Sequence, residues 1–208
     1  MNEPQMMNIR TLEDLMAYAE FYALEQMHAS GSCRPCLFFS DANGLPGIFV
    51  FGRGEFDEEG KEGFRYMARL ACVAHAAVIC VFVSEIWASI AMAKTGESPE
   101  EVRKRTVAER GIPSEDFERR EMIMFAGETR QRRVCKVLPI IRSGNENFFG
   151  FGESDFPPLD TAKGDKYDGR FSHILPDRDA APDIREMARL ALSMHGINPQ
   201  VVAVPLKK

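Results

Sequence analysis

Two of the five cysteines stand as Cys33-Arg-Pro-Cys36, and this spacing is the first in the chain to suggest chemistry. At a helix N-terminus such a C-x-x-C pair has a lowered thiol pKa and exchanges disulfides. Here the pair follows a helical pattern and leads into an apolar strand, so no macrodipole activates Cys33 and redox catalysis is not expected. The same thiols would make half of a tetrahedral zinc site, with Cys72 and His75, one helical turn apart, as the other half. Cys72 and His75 fit the packed face of a helix equally well. That reading is preferred and no cofactor is expected, with a structural zinc as the alternative.

The second constellation is acidic. Glu85 comes just after the unbroken apolar run from Ala77 to Val83, where a carboxylate must be paired, protonated or at an exposed strand end. In a cleft its pKa would rise, which suits a general acid or base, and Glu121 on a following strand would approach it. Together, with Glu128 as a possible third member, they would hold a divalent metal ion. No G-x-S-x-G, H-E-x-x-H, G-x-x-x-x-G-K or post-strand G-x-G-x-x-G completes a mechanism. Pairing of Glu85 with Arg119 or Arg120 is therefore the preferred reading.

Arg103, Lys104, Arg105, Arg110, Arg119 and Arg120, followed by Arg130, Arg132, Arg133 and Lys136, make the middle of the chain locally basic. A phosphate-rich or acidic partner would use such a patch. Glu101, Glu109, Glu115, Asp116, Glu118 and Glu128 are interspersed, so local neutralisation is preferred and nucleic acid is not favoured. Phe148-Phe-Gly-Phe151, with Phe156 beyond, concentrates aromatic rings in a Gly-rich stretch without period. Exposed, these rings would be a contact surface. Phe148, Phe149, Phe151, Arg103 and Arg105 are thus the expected partner-binding residues, for another protein or a second copy of the chain.

The elements that position these groups are legible in outline. Thr11 with Asp14 opens a helix from about Leu12 to Met27. The apolar runs 36–40 and 47–51 flank a turn at Asn43-Gly44 and predict a hairpin. Phe64, Met67, Ala68, Ala71, Ala74 and His75 give a second helix, and 77–83 a strand buried on both faces. A long polar connection over 94–120, with a short helix possible at 99–110, leads to strands at 121–126 and 133–141, the latter turned to an edge or bulge by Pro139. Residues 143–181 have no period and read as a long surface loop. Pro182 starts a last helix with an apolar row of Ile184, Met187, Ala191 and Met194, and Val201–Val204 would add a terminal strand. The order α-β-β-α-β-β-β-α-β predicts an α+β (α/β) fold: a mixed, mostly antiparallel sheet of five to six strands with about three packed helices. It forms one domain over 1–208 with a loop-rich excursion at 143–181.

With 208 residues, 45% hydrophobic and 27% charged, the chain is long enough to bury a core and falls outside the disordered and fibrous classes. The net charge of −5 argues against a surface that tracks nucleic-acid phosphates throughout. The odd cysteine count and an N-terminus without an export pattern predict reduced thiols and a cytoplasmic protein. The stretch from Leu70 to Ala93 lacks Lys, Arg and Asp, but Glu85 would lie deep in a bilayer, and no membrane span is expected.

Val83-Ser-Glu-Ile-Trp-Ala88, Pro113-Ser-Glu-Asp-Phe-Glu-Arg-Arg-Glu-Met122 and Ala126-Gly-Glu128 together resemble an uncharacterised family of bacterial and bacteriophage proteins. The resemblance spans roughly 78–141, departs at Ile86 and Ala88, and implies a bacterial or phage setting without transferring an activity. The expected function is a non-enzymatic accessory protein that binds a protein partner. The alternative is a metal-dependent hydrolase or nuclease-like enzyme using Glu85 and Glu121.

Overall fold

The computed structural model describes residues 8–50, 58–91, 96–98, 101, 104–105, 117–144, 147–154, 157–165 and 171–197. Helix α1 is Leu12–Ser30. Thr11 caps it by accepting the Asp14 N–H at 3.1 Å, and the helix closes at Gly31, whose φ of 73° lets its N–H turn back to the Met27 carbonyl. Strands β1 (Cys36–Asp41) and β2 (Pro46–Val50) form the expected hairpin. The Asp41 carboxylate accepts the N–H groups of Asn43 and Leu45, both at 2.9 Å, and Gly44 takes the left-handed φ of 81° that the turn requires.

Helix α2 (Glu58–Ala74) then carries the chain across one face of the sheet to β3 (Ala77–Ala91), which pairs antiparallel with β1. Strands β4 (Phe117–Thr129), β5 (Arg133–Arg142) and β6 (Phe148–Phe151) continue as a meander, and the order across the sheet is β2-β1-β3-β4-β5-β6. Pro139 lies where β5 leaves β4, its last paired position being opposite Met122. From Ser84 onward β3 has only β4 beside it, since pairing with β1 stops at Cys36–Val83.

Alternation along the strands builds two apolar clusters, one on each face. Cys36, Phe38, Ile79, Val81, Val83, Ile123 and Phe125 meet α1 through Leu12, Leu15, Met16, Ala19, Ala23 and Met27. Leu37, Phe39, Cys80, Phe82 and Ala126 meet α2 through Phe64, Ala68, Ala71 and Cys72. β3 is therefore buried on both faces, as its unbroken apolar run predicts.

The excursion after β5 differs from the expected surface loop. It contains β6 (Phe148–Phe151) and β7 (Leu159–Asp160), which pair with opposite ends of β5, and a short 3-10 turn at Thr161–Lys163. Four- and two-residue strands are too short to register as a period. Farther on, Ile174 and Leu175 are buried in the second cluster, and Phe171 stacks on Phe82 with ring centres 4.0 Å apart. The segment is thus an insertion into the core.

Helix α3 (Pro182–Met194) starts at the proline as expected and is followed by Gly196 at φ 67°. Its orientation is not the expected one. Ala188 and Leu192 are the buried residues, while Ile184, Met187 and Met194 of the expected packed row are exposed. Of the short helix expected at 99–110, the described residues Glu101, Lys104 and Arg105 are helical, and the terminal strand at 201–204 lies outside the described residues.

Candidate functional site

Where β1 begins, the connection from Gly31 to Pro35 passes over the α1 side of the sheet, and Glu85 is the next residue of β3 after Val83 to face it. Its carboxylate accepts the backbone N–H of Cys33. Glu121, two positions off the direct partner of Glu85 on β4, faces the same side and is gripped by Arg142, whose Nε and Nη2 donate to its two oxygens at 2.7 and 2.5 Å. The third nitrogen of the guanidinium donates to the Gly31 carbonyl at 3.1 Å. Glu85, Glu121 and Arg142 thus converge below the C-terminal end of α1.

Burial is the main reason that the Glu85 carboxyl is held above its ordinary range, and the neighbouring Glu121 charge adds to it. The Cys33 N–H and Arg142 act the other way. The side chain of the expected Arg119 lies outside the described residues, while Arg142 of β5 acts on both carboxylates. Sequence reasoning had no signal for it, because sheet register alone brings it there.

The arrangement sets a carboxyl with a raised pKa beside a carboxylate–guanidinium pair. The concavity next to Glu121, about 460 Å³ between Arg120, Pro139, Gly152 and Glu153, does not include Glu85 among its lining residues. Glu128 lies on the other face, buried, where its carboxylate accepts the Ile174 N–H at 3.0 Å. Burial raises its pKa too. Glu128 therefore anchors the inserted segment and does not join the other two. Among the described residues no three His, Cys, Asp or Glu side chains are grouped to hold a metal ion.

The four residues of the alternative zinc reading are split by the sheet. Cys33 and Cys36 belong to the α1-side cluster, with their thiols in contact, and burial and that contact push the Cys36 thiol well up. Cys72 lies in the other cluster, where it meets the Cys80 thiol, and this contact together with burial raises Cys80. His75 packs against the Phe39 ring at 5.1 Å, with its pKa lowered by burial and then by Arg189. The reading of Cys72 and His75 as packed residues fits these contacts. The Cys72–Cys80 pairing was missed because its members sit on a helix and a strand without a spacing rule.

The expected contact residues divide in the same way. Phe148 and Phe151 pack on the α1-side cluster and on each other, with Phe148 also against His28, so of the described rings in this stretch only Phe149 is exposed, at 75%. Arg105 is held by Glu97 through two bonds of 2.9 and 2.8 Å, and Arg103 lies outside the described residues. Arg130 meets Asp179, Arg132 meets Glu13 and Asp160, and Lys136 meets Glu20, so much of the basic middle segment is neutralised locally.

No other described element exposes as many large apolar side chains as α3, with Ile184 at 47%, Met187 at 64%, Leu190 at 58% and Met194 at 88% exposed. They succeed one another along the helix over about three turns, whereas singly scattered apolar residues are ordinary on a surface. No described helix is long and apolar enough to cross a membrane, and the 70–93 stretch is the end of α2 followed by β3. No family model, curated protein or solved structure matches the chain.

Proposed function

We propose that this chain works by binding a protein partner and that α3 carries the contact face. The observation behind this reading is the exposed row of Ile184, Met187, Leu190 and Met194, which costs free energy in water unless something covers it. The acidic cluster favours the same reading over a metal-dependent hydrolase. Glu121 is occupied by Arg142, Glu85 by the Cys33 N–H, and Glu128 by the inserted segment. Five thiols, none in a disulfide, suit the reducing cytoplasm of a bacterial or phage-infected cell, the setting that the family resemblance implies.

The test is affinity capture with tagged protein, comparing the wild type with a Met187→Glu/Leu190→Glu variant whose circular dichroism and melting temperature match it. A protein retained by the wild type and lost from the variant, whether a second chain or an untagged copy of this one, is the expected result. Identical retention by both would refute the reading.

A further inference from the structure

We propose that Cys33 and Cys36 are an oxidation site, a dithiol that hydrogen peroxide closes into a disulfide, with the Glu85 carboxylate fastening the pair in its reduced form. The proposal goes beyond partner binding and does not depend on what covers α3. The two thiols already touch, in the α1-side cluster. Only Arg34 and Pro35 separate them, and Cys33 lies in a connection without regular structure, so the backbone is free to bring the sulfurs to bonding distance. Cys72 and Cys80 also touch, but one is fixed in α2 and the other in β3, where the backbone has no such freedom.

The surroundings give the two sulfurs different roles. Cys33 lies between Ser32 and Arg34, both exposed, and its thiol donates to the Arg34 carbonyl at 3.7 Å. Cys36 is fully buried, and burial and the Cys33 thiol push its pKa well up, which makes it the poorer nucleophile. Cys33 therefore reacts first. Its thiolate takes one oxygen from the peroxide, the O–O bond breaks, and the other oxygen leaves as water with the Cys33 proton. Cys36 then attacks the Cys33 sulfenic sulfur, the S–O bond breaks, and a second water carries off the Cys36 proton. The dithiol gives up two hydrogens and two electrons, and the peroxide accepts both.

Cys33 is 3% exposed, so oxidation waits on a local opening of the connection. The bond from the Cys33 N–H to Glu85 ties this stretch to the sheet, whereas the 2.8 Å bond from the Ser30 hydroxyl to the Ser32 carbonyl is internal to the turn. Losing the Glu85 acceptor thus eases the opening. The pair follows the C-terminal end of α1 and no helix begins at it, so its oxidation is slow and stoichiometric, not catalytic.

The test exposes the full chain, in a Cys135→Ser background that leaves only the four buried thiols, to millimolar hydrogen peroxide, followed by intact mass and by peptide mapping without reductant. The chain should slowly lose two hydrogens from the peptide that holds Cys33 and Cys36, and dithiothreitol should restore them, while Cys72 and Cys80 stay reduced. Cys36→Ser should stop at a Cys33 sulfenic acid that dimedone captures, and Cys33→Ser should give neither product. Glu85→Ala, with its fold checked by circular dichroism, should oxidise roughly tenfold faster, as expected when a buried N–H loses its acceptor. Glu85→Gln, which keeps an acceptor, should stay near the parent rate. Four reduced thiols after prolonged exposure of the parent chain, or a disulfide at Cys72–Cys80 instead, would overturn the proposal without recourse to any Glu85 variant. Dimedone capture at Cys36 of the Cys33→Ser chain but not at Cys33 of the Cys36→Ser chain would overturn the order of attack. Equal rates for Glu85→Ala and the parent would overturn the part given to Glu85.

Discussion

Glu85 and Cys33 are 52 residues apart in sequence, yet the carboxylate of one accepts the backbone N–H of the other, tying the central strand to the chain as it leaves α1. The bond places an ionisable group in a half-buried setting where burial holds its pKa above the ordinary carboxylate value. With the folded pKa raised, the folded state binds more protons than the unfolded chain between the two values. The stability that Glu85 contributes is therefore full below the unfolded value, near 4.5, and is lost as pH rises through the folded one. Glu85→Gln keeps an oxygen acceptor and removes the charge. Its melting temperature should equal or exceed the wild type's at pH 7, and the gain should vanish by about pH 4. A Gln variant uniformly less stable at all pH values would contradict this account.

Glu85→Ala should behave differently from Gln. It leaves the Cys33 N–H without its acceptor, an omission that costs about 1–3 kcal/mol. Urea denaturation at pH 7 should show the Ala variant below both the wild type and the Gln variant.

Arg142 joins three elements, through Glu121 on β4, the Gly31 carbonyl at the end of α1 and its own strand β5. Arg142→Met should lower stability by about 2 kcal/mol, between the values for exposed and buried ion pairs. Lysine should recover only part of it, since an ammonium cannot form the two-pronged contact with Glu121. Full rescue by lysine, read in the same urea titration, would argue that only the charge matters.

Four of the five cysteines are buried and Cys135 is partly accessible. Under native conditions an aromatic disulfide reagent should label about one thiol per chain quickly, with the rest reacting only on unfolding. Cys36 and Cys80, whose pKa values are raised, should be among the slowest. Rapid labelling of the Cys33–Cys36 pair would contradict the burial described above.

Phe171 lies against both Phe82 and Phe64 and carries the inserted segment with it. Phe171→Ala should cost about 3 kcal/mol, toward the lower end for aromatic truncation because the ring is only partly buried. It should also raise amide exchange at Ile174 and Leu175, whose N–H groups are held by Glu128. Unchanged exchange at those positions would mean that Glu128 alone fixes the segment.

The features legible in the sequence are those whose causes are local. The β1–β2 turn follows from one aspartate, its two neighbouring N–H groups and a glycine, and the double burial of β3 follows from a run of apolar residues with no polar interruption. The partners of Glu85 and Glu121 were not legible, because the Cys33 N–H and Arg142 reach them only through sheet register. α3 was half legible. Its apolar residues cover more than half of the circumference, so the helix is evident, but the half that packs is settled by the position of α2.

β1, β3 and β4 each send alternate side chains into the α1-side cluster and into the α2-side cluster. Neither cluster owns its strands. Melting one side would withdraw the backbone from under the other, so the two halves of the interior share one unfolding event. A cavity opened at Phe125 should be felt in the amide protection of α2 as well as α1, though α2 never touches that ring's face of the sheet.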